Sequence, residues 1–406
     1  MHPNPDLSKP ACSPKLWHLD PSVVFLNHGA FGGCPIAVLE RQNQWRMQME
    51  RQPVQFLGRD LEQHLDSARA ALAQFVGAAV EDLVFVSNAT AGANTVLRSL
   101  RFEPGDELLT TNHAYNATRN AFDFVAGQFG IKVVAAKLPF PFQTEADLVE
   151  PILAAVTSRT RLALIDHVTS PTGFILPIER IVRELSARGV DVLVDGAHAP
   201  GMIPLNVEKI GAAYYTGNCH KWLCAPKGAA FLHVRKDRQH QIRPLVISHG
   251  ASSRRTDRSR FQIEFAWTGT GDSSACLSIP SAIEFIGAQL PGGWPDVMQR
   301  NRALALVARK ILCDTLEVEP PCPEQFIGTL AAIPLPDAPE NGLPRPPIFE
   351  YPLQDELRHR HSIEVPIMPW PGPPKRLLRI AAQLYNSLEQ YELLARCLPA
   401  SIKEER

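Results

Sequence analysis

The sequence predicts an α/β fold: a large domain with a mostly parallel seven-stranded sheet, followed by a smaller C-terminal α+β domain. Three observations predict it. Seven short apolar runs rich in β-branched residues alternate with amphipathic stretches through the middle of the chain. Polar clusters fall just beyond the ends of those runs, where parallel sheets gather their ligands. Past about residue 270 the texture changes to long helical stretches and proline-rich connections.

Leu83–Val86 opens the alternation as a strand, and the turn Ser87-Asn88-Ala89-Thr90-Ala91-Gly92 leads into helical spacing from Ala93 to Leu100. Glu107–Thr111 repeats the theme, passing through Asn112-His113-Ala114-Tyr115 into a helix near Thr118 to Val125. Further strands fit Lys132–Ala136, Leu162–Ile165, Val190–Val194, Ala212–Tyr215 and Ala229–Val234, with helices at Asp147–Ala155 and Pro177–Leu185 between them. Helical runs at Cys276–Leu290 and Trp294–Leu316 follow. The stretches Pro320–Pro323, Pro334–Pro347 and Pro366–Pro374 read as surface connections. Residues 1–25 lack a core of their own and are expected to pack on the small domain or a partner; residues 26–270 form the large domain and 271–406 the small one.

Hydrophobic residues at 45% and charged residues at 20% describe an ordinary globular protein. Lys+Arg 41 against Asp+Glu 42 leaves a net charge of −1, so no basic field exists to hold nucleic acid or an anionic membrane. No apolar segment approaches spanning length, and Met1–Pro10 has neither the basic start nor the apolar stretch of a secretory signal, so a cytoplasmic protein is expected. The 8 cysteines are scattered without a C-x-x-C pair, which leaves zinc and thioredoxin-like chemistry without support; no metal is expected. Free thiols in a reducing cytosol are the plainer reading.

The chemistry starts from two residues. Asp195 ends the apolar run Val192-Leu193-Val194, and Lys221 follows the next run in Tyr215-Thr216-Gly217-Asn218-Cys219-His220-Lys221-Trp222. A pyridoxal phosphate site needs this pair: a lysine amine to form an imine with the cofactor aldehyde, and a carboxylate facing the pyridine nitrogen to keep it protonated. Taken singly, Asp195 is a turn residue before Gly196 and Lys221 a surface lysine, but the pair and its apolar surroundings favour the cofactor. Ser87–Gly92 opens a helix directly after a strand, where exposed N–H groups and the helix dipole attract a phosphate; Thr90 adds a hydroxyl. The alternative there is a plain N-cap.

His198 is placed to bond the cofactor's phenolic oxygen, or else is a satisfied loop histidine. Ser170, in a turn before Pro171, is a weaker candidate for the same oxygen. His113 or Tyr115 can stack on the cofactor face, and either can point to substrate instead. Arg379 is a cation embedded in the apolar run Leu377-Leu378-Arg379-Ile380-Ala381. It requires a partner, either a substrate carboxylate gripped by both arms or a structural carboxylate.

With these motifs assembled, the chain resembles the class V aminotransferase family, in its isopenicillin N epimerase-like branch. The likeness rests on Asn27-His28-Gly29-Ala30-Phe31-Gly32, Asp195-Gly196-Ala197-His198, the run around Lys221, and Leu378-Arg379-Ile380 with Tyr385-Asn386. It implies a fold-type I pyridoxal phosphate enzyme, a homodimer with active sites at the subunit interface. By that likeness Lys221 is the imine lysine and Asp195 the pyridinium partner. His198 lies near the phenolic oxygen, and Thr90, His220 and a partner-contributed Thr270 lie at the phosphate. Ala91 and Asn218 join the cofactor set, Arg379 takes the substrate carboxylate, and Asn27 and His28 fall on the substrate side.

Two departures matter. Cysteine desulfurases of this class carry a mobile cysteine shortly before the arginine, and Glu364–Gly372 contains none; Cys322 lies too far back to replace it. Ser170 stands where many relatives have Asn. The resemblance therefore implies chemistry at Cα of an amino-acid-type substrate, with epimerisation leading. β-Elimination by a C–S lyase and transamination are the alternatives, and a non-catalytic cofactor-binding protein ranks below them.

Overall fold

Strands buried on both faces are unbroken apolar runs, and the middle of this chain is built from them. The computed structural model describes residues 6–339 and 351–405. After a two-residue strand β1 (Val24–Phe25) come β2 (Leu83–Val86), β3 (Glu107–Thr111), β4 (Lys132–Ala136), β5 (Thr160–Asp166), β6 (Asp191–Asp195), β7 (Tyr214–Asn218) and β8 (Ala230–Val234). The strands after β1 join in one seven-stranded sheet of order β2-β8-β7-β6-β5-β3-β4. β8 runs antiparallel to both its neighbours, and every other pairing is parallel. β7 extends past the apolar run seen in the sequence, because Thr216, Gly217 and Asn218 pair with Leu232, Phe231 and Ala230 of β8.

The pleat sorts side chains to two cores. Leu162 and Leu164 of β5 and Leu193 of β6 pack with the helices Ala89–Ser99 and Asn116–Phe129. Ala163, Ile165, Val192 and Val194 pack on the other side with the helix Ile178–Ser186. This period of two carries Asp166 and Asp195, the last residues of their strands, to the same face as the helix Ala89–Ser99.

A second sheet follows. β9 (Leu330–Leu335), β10 (Ile363–Glu364), β11 (Ile367–Pro369) and β12 (Arg376–Ala381) close the strand list, and β11-β12-β9 form an antiparallel sheet covered by the helices Trp294–Leu316 and Leu388–Glu404. β10 pairs in parallel with β1. Ala11 N–H donates to the Leu384 carbonyl at 2.8 Å, and the Trp17 ring lies 5.1 Å from that of Tyr385. The N-terminal segment, from residue 6, thus packs on the C-terminal part of the chain.

Two expectations need correction. The proline-rich stretches are not simply surface connections: Pro334 lies inside β9, and β11 occupies Ile367–Pro369 with Val365 and Ile367 buried. Both strands are edges of their sheet, where a residue without an N–H is tolerated. Residues 340–347 of the second stretch lie outside the described residues. The helical run at 276–290 is two pieces, Ser274–Leu277 and Ile279–Gly287, the second restarting with proline in its first turn.

Candidate active site

Asp195 and Asp166 sit side by side at the C-terminal ends of β6 and β5, as register partners in adjacent parallel strands. Both are buried. One Asp195 oxygen accepts the Ala197 N–H at 3.0 Å. Burial raises the Asp195 pKa, against the opposing pull of that amide and of Lys221. Burial raises Asp166 further, the neighbouring Asp195 charge adds to it, and one Asp166 oxygen has no partner among the described residues. The favoured state of the pair is an Asp195 carboxylate beside a protonated Asp166. Sequence reasoning missed Asp166, which ends its strand one residue before a histidine and so resembles a turn residue.

Lys221 follows β7 on a loop anchored from several sides. Its amine lies 3.1 Å from His198 Nε2, and the Trp222 indole N–H donates to His198 Nδ1 at 3.3 Å. Burial, then the Arg379 charge, lower the Lys221 pKa to about 7, although Asp195 and Asp166 pull the other way. A substantial share of the amine, about half at pH 7, is therefore available as a neutral base and nucleophile. Burial first, then Lys221, also hold His198 well below the ordinary histidine value, so its ring is neutral.

His28, expected on the substrate side, is instead fully buried beneath this loop. Its Nε2 reaches the Lys221 carbonyl at 3.0 Å and its Nδ1 the Tyr385 hydroxyl at 2.8 Å. Gly32 makes the close approach possible: it adopts φ +71°, and a Cβ there would lie 2.0 Å from the His220 carbonyl oxygen. Both ring nitrogens of His28 are occupied, and the Nε2 contact ties the ring to the lysine loop.

The helix Ala89–Ser99 starts shortly after β2 and presents its N-terminal N–H groups there. Asn88 caps it by accepting the Ala91 N–H at 2.8 Å, and Asn218, at the end of β7, accepts the Ala89 N–H at 2.8 Å. The Thr90 N–H and hydroxyl have no partner among the described residues. Gly92 lets the helix lie against β7, since a Cβ there would fall 2.1 Å from Thr216 Oγ1. His220, half-buried on the loop before Lys221, is pushed down to about 4 by burial and then by the Lys221 charge.

Arg379, in the middle of β12, is buried. One of its Nη groups donates to the backbone carbonyl and hydroxyl of Ser170, so Ser170 is engaged with the guanidinium. Its Nε has no partner, and no carboxylate pairs with it among the described residues. Burial lowers its pKa to about 10, with Tyr115 opposing the shift. Tyr115 is 40% exposed, whereas His113 is fully enclosed, its ring centroid 4.2 Å from that of Trp370 and its Nδ1 2.8 Å from Thr172 Oγ1. Of the two stacking candidates, Tyr115 is the exposed one and His113 the buried one. Asn27 donates to Glu364 at 3.2 Å, leaving its Oδ1 bare. Thr270 is exposed and lines a surface cleft of about 610 Å³ with Val54, Arg59, His249 and Trp267, a lining that does not include Lys221.

The arrangement suits a phosphorylated pyridine aldehyde. A neutral amine lies beside a carboxylate held at a strand end, a helix N-terminus keeps donors free, and a buried guanidinium lacks an anion. These features and the mostly parallel sheet define a fold-type I pyridoxal phosphate enzyme. The chain belongs to the class V aminotransferase family, whose model matches residues 24–314. It is similar to isopenicillin N epimerase of Streptomyces clavuligerus, 34% identical over 94% of this chain and 96% of that one. It is also similar to a probable chloroplastic L-cysteine desulfhydrase of Arabidopsis thaliana, 30% identical over 99% of this chain and 88% of that one. Among solved structures, a C-DES mutant with glycine covalently linked to its PLP cofactor matches with a TM-score of 0.76 at 20% identity, covering 93% of this chain and 96% of that one. Pyridoxal phosphate is the cofactor. Among the described residues no helix is long and apolar enough to cross a membrane.

Proposed function

We propose that this enzyme removes the proton from Cα of an amino-acid-type substrate and returns one to the opposite face, as an epimerase does. The observation that carries the reading is Arg379, a buried guanidinium bonded only to Ser170 among the described residues. A substrate carboxylate completes its donor set with two parallel hydrogen bonds and fixes Cα relative to Lys221. Pyridoxal phosphate supplies an electron-accepting ring for the charge left when the α-proton departs. Lys221 takes that proton on Nζ, a role suited to an amine that titrates near 7. Asp195 holds positive charge at the ring nitrogen, and His198 faces the same amine from the side of Trp222. Thr90, Ala91 and the helix terminus hold the phosphate, with Asn218 fixing that terminus and His220 beside it. Tyr115, which is exposed, is the acid on the side opposite Lys221.

The active unit is a homodimer in which Thr270 reaches the phosphate of the other subunit. The exposed apolar run Leu245, Val246 and Ile247 and the exposure of Thr270 support a second copy as its cover. The 8 cysteines are all free thiols, which suits a cytoplasmic setting.

Elimination of a β-thiol is the second reading, supported by the desulfhydrase relative at 30% identity. It shares every step up to proton removal. Incubation of candidate amino acids in deuterated water separates the two. Label at Cα with inverted configuration is expected from epimerisation; pyruvate with a released thiol identifies elimination. Neither product from a broad panel overturns both readings.

A further inference from the structure

Trp222 does more than fill the core beneath the lysine. An indole N–H can only donate, and here it donates to His198 Nδ1 at 3.3 Å. Nδ1 must therefore be bare, and a neutral ring must carry its proton on Nε2. That nitrogen lies 3.1 Å from Lys221 Nζ. Two donors cannot share this contact, so the N–H belongs to His198 and the lone pair to Lys221. The alternative, with ammonium donating to Nε2 while indole donates to Nδ1, leaves the ring without a proton and is excluded for imidazole at neutral pH.

We propose that Trp222 is a positioning residue that fixes the Nε2–H tautomer of His198, and that His198 thereby holds Lys221 as a neutral amine with its lone pair engaged. Both rings are suited to this by burial: His198 and Trp222 are each 1% exposed, so water does not replace either hydrogen bond. The Trp222 ring is held in turn by the His28 ring, 5.0 Å away between centroids. An unprotonated Lys221 is what attack on an aldehyde requires, and once its lone pair leaves the hydrogen bond to form the new bond, the His198 N–H is freed for another acceptor. This deepens the function proposed above by assigning the tautomer on which its lysine depends.

The test has two arms. The first records nitrogen-15 histidine spectra of the full-length protein, with His198 assigned by its loss in His198→Gln. The expected result is an unprotonated Nδ1 and a protonated Nε2 from about pH 6 to about pH 9. This arm needs no cofactor, so it stands even if the cofactor reading fails. The second arm follows the pH midpoint of the bound cofactor's visible absorbance in Trp222→Phe and in a variant carrying benzothienylalanine at position 222, which keeps the indole outline with sulfur in place of N–H. Both variants should show the Nδ1–H tautomer and a midpoint raised by roughly half to one pH unit, the equivalent of one neutral hydrogen bond. Arg379, Asp195, Asp166 and His220 also surround this pair but are unchanged in both variants. A protonated Nδ1 in the unaltered protein overturns the proposal. So does a benzothienyl variant with unaltered tautomer and midpoint, whether or not the Phe variant folds.

Discussion

Two arginines three residues apart on β12 have the same side chain, nearly the same burial and opposite surroundings. Arg376 meets Glu405 through both arms at 2.8 and 2.6 Å, and its Nε donates to the Pro336 carbonyl at 3.0 Å. Among the described residues Arg379 meets only Ser170, and its Nε has no partner. Burial alone does not separate a structural charge from a functional one. The donor inventory does, because a protein tolerates an incompletely paired buried cation only where something else completes it.

Exchanging the two roles is the most direct way to break the comparison. Arg379→Ala should lower kcat/KM for a carboxylate-bearing substrate by roughly 10²–10³-fold, as expected for losing one partner of a buried charged pair. The thermal midpoint should hold or rise, since an unpaired buried charge disappears. Steady-state kinetics alongside calorimetry checks both, and a large loss of stability with unchanged kcat/KM would assign Arg379 to the scaffold. Arg376→Ala should show the reverse, a loss of about 3–5 kcal/mol in urea unfolding because Glu405 is left buried and alone, with KM little altered in the folded enzyme. Adding Glu405→Gln should recover part of that loss, and full additivity of the two changes would contradict the pairing.

Asp166 sharpens the comparison from the acidic side, as a buried acid with no ion pair among the described residues. Its folded pKa lies above the ordinary carboxylate value, so the fold keeps a proton that the unfolded chain releases. That contribution to stability is present below the unfolded pKa and is lost as pH rises toward the folded one. Asp166→Asn should therefore flatten the decline in unfolding midpoint as pH rises above about 4. An unchanged slope would mean that Asp166 is ionised in the folded protein.

The parallel sheet was legible in the sequence because its strands are buried on both faces and leave continuous apolar runs. Asp195 was legible because it ends such a run, and Arg379 because it interrupts one. His28 and His113 were not. His113 follows a predicted strand and His28 sits in a short motif with no predicted strand beside it, and only contacts distant in sequence reveal that His28 is bound to Tyr385 and His113 enclosed by Trp370. Asp166 was hidden for a related reason: its meaning comes from its register partner on the neighbouring strand, and register is not written in either run alone. The prolines of β9 and β11 were misleading because edge strands forgive a missing N–H.

The imidazole of His28 joins parts of the chain that carry separate duties. One nitrogen reaches the carbonyl of Lys221, and the other reaches Tyr385, shortly beyond the strand that bears Arg379. The adjoining Leu26 carbonyl accepts the Ala381 N–H at 2.9 Å, on that same strand. Two short hydrogen-bonded routes thus brace the Lys221 backbone against the strand that bears Arg379, one of them running through a single buried ring.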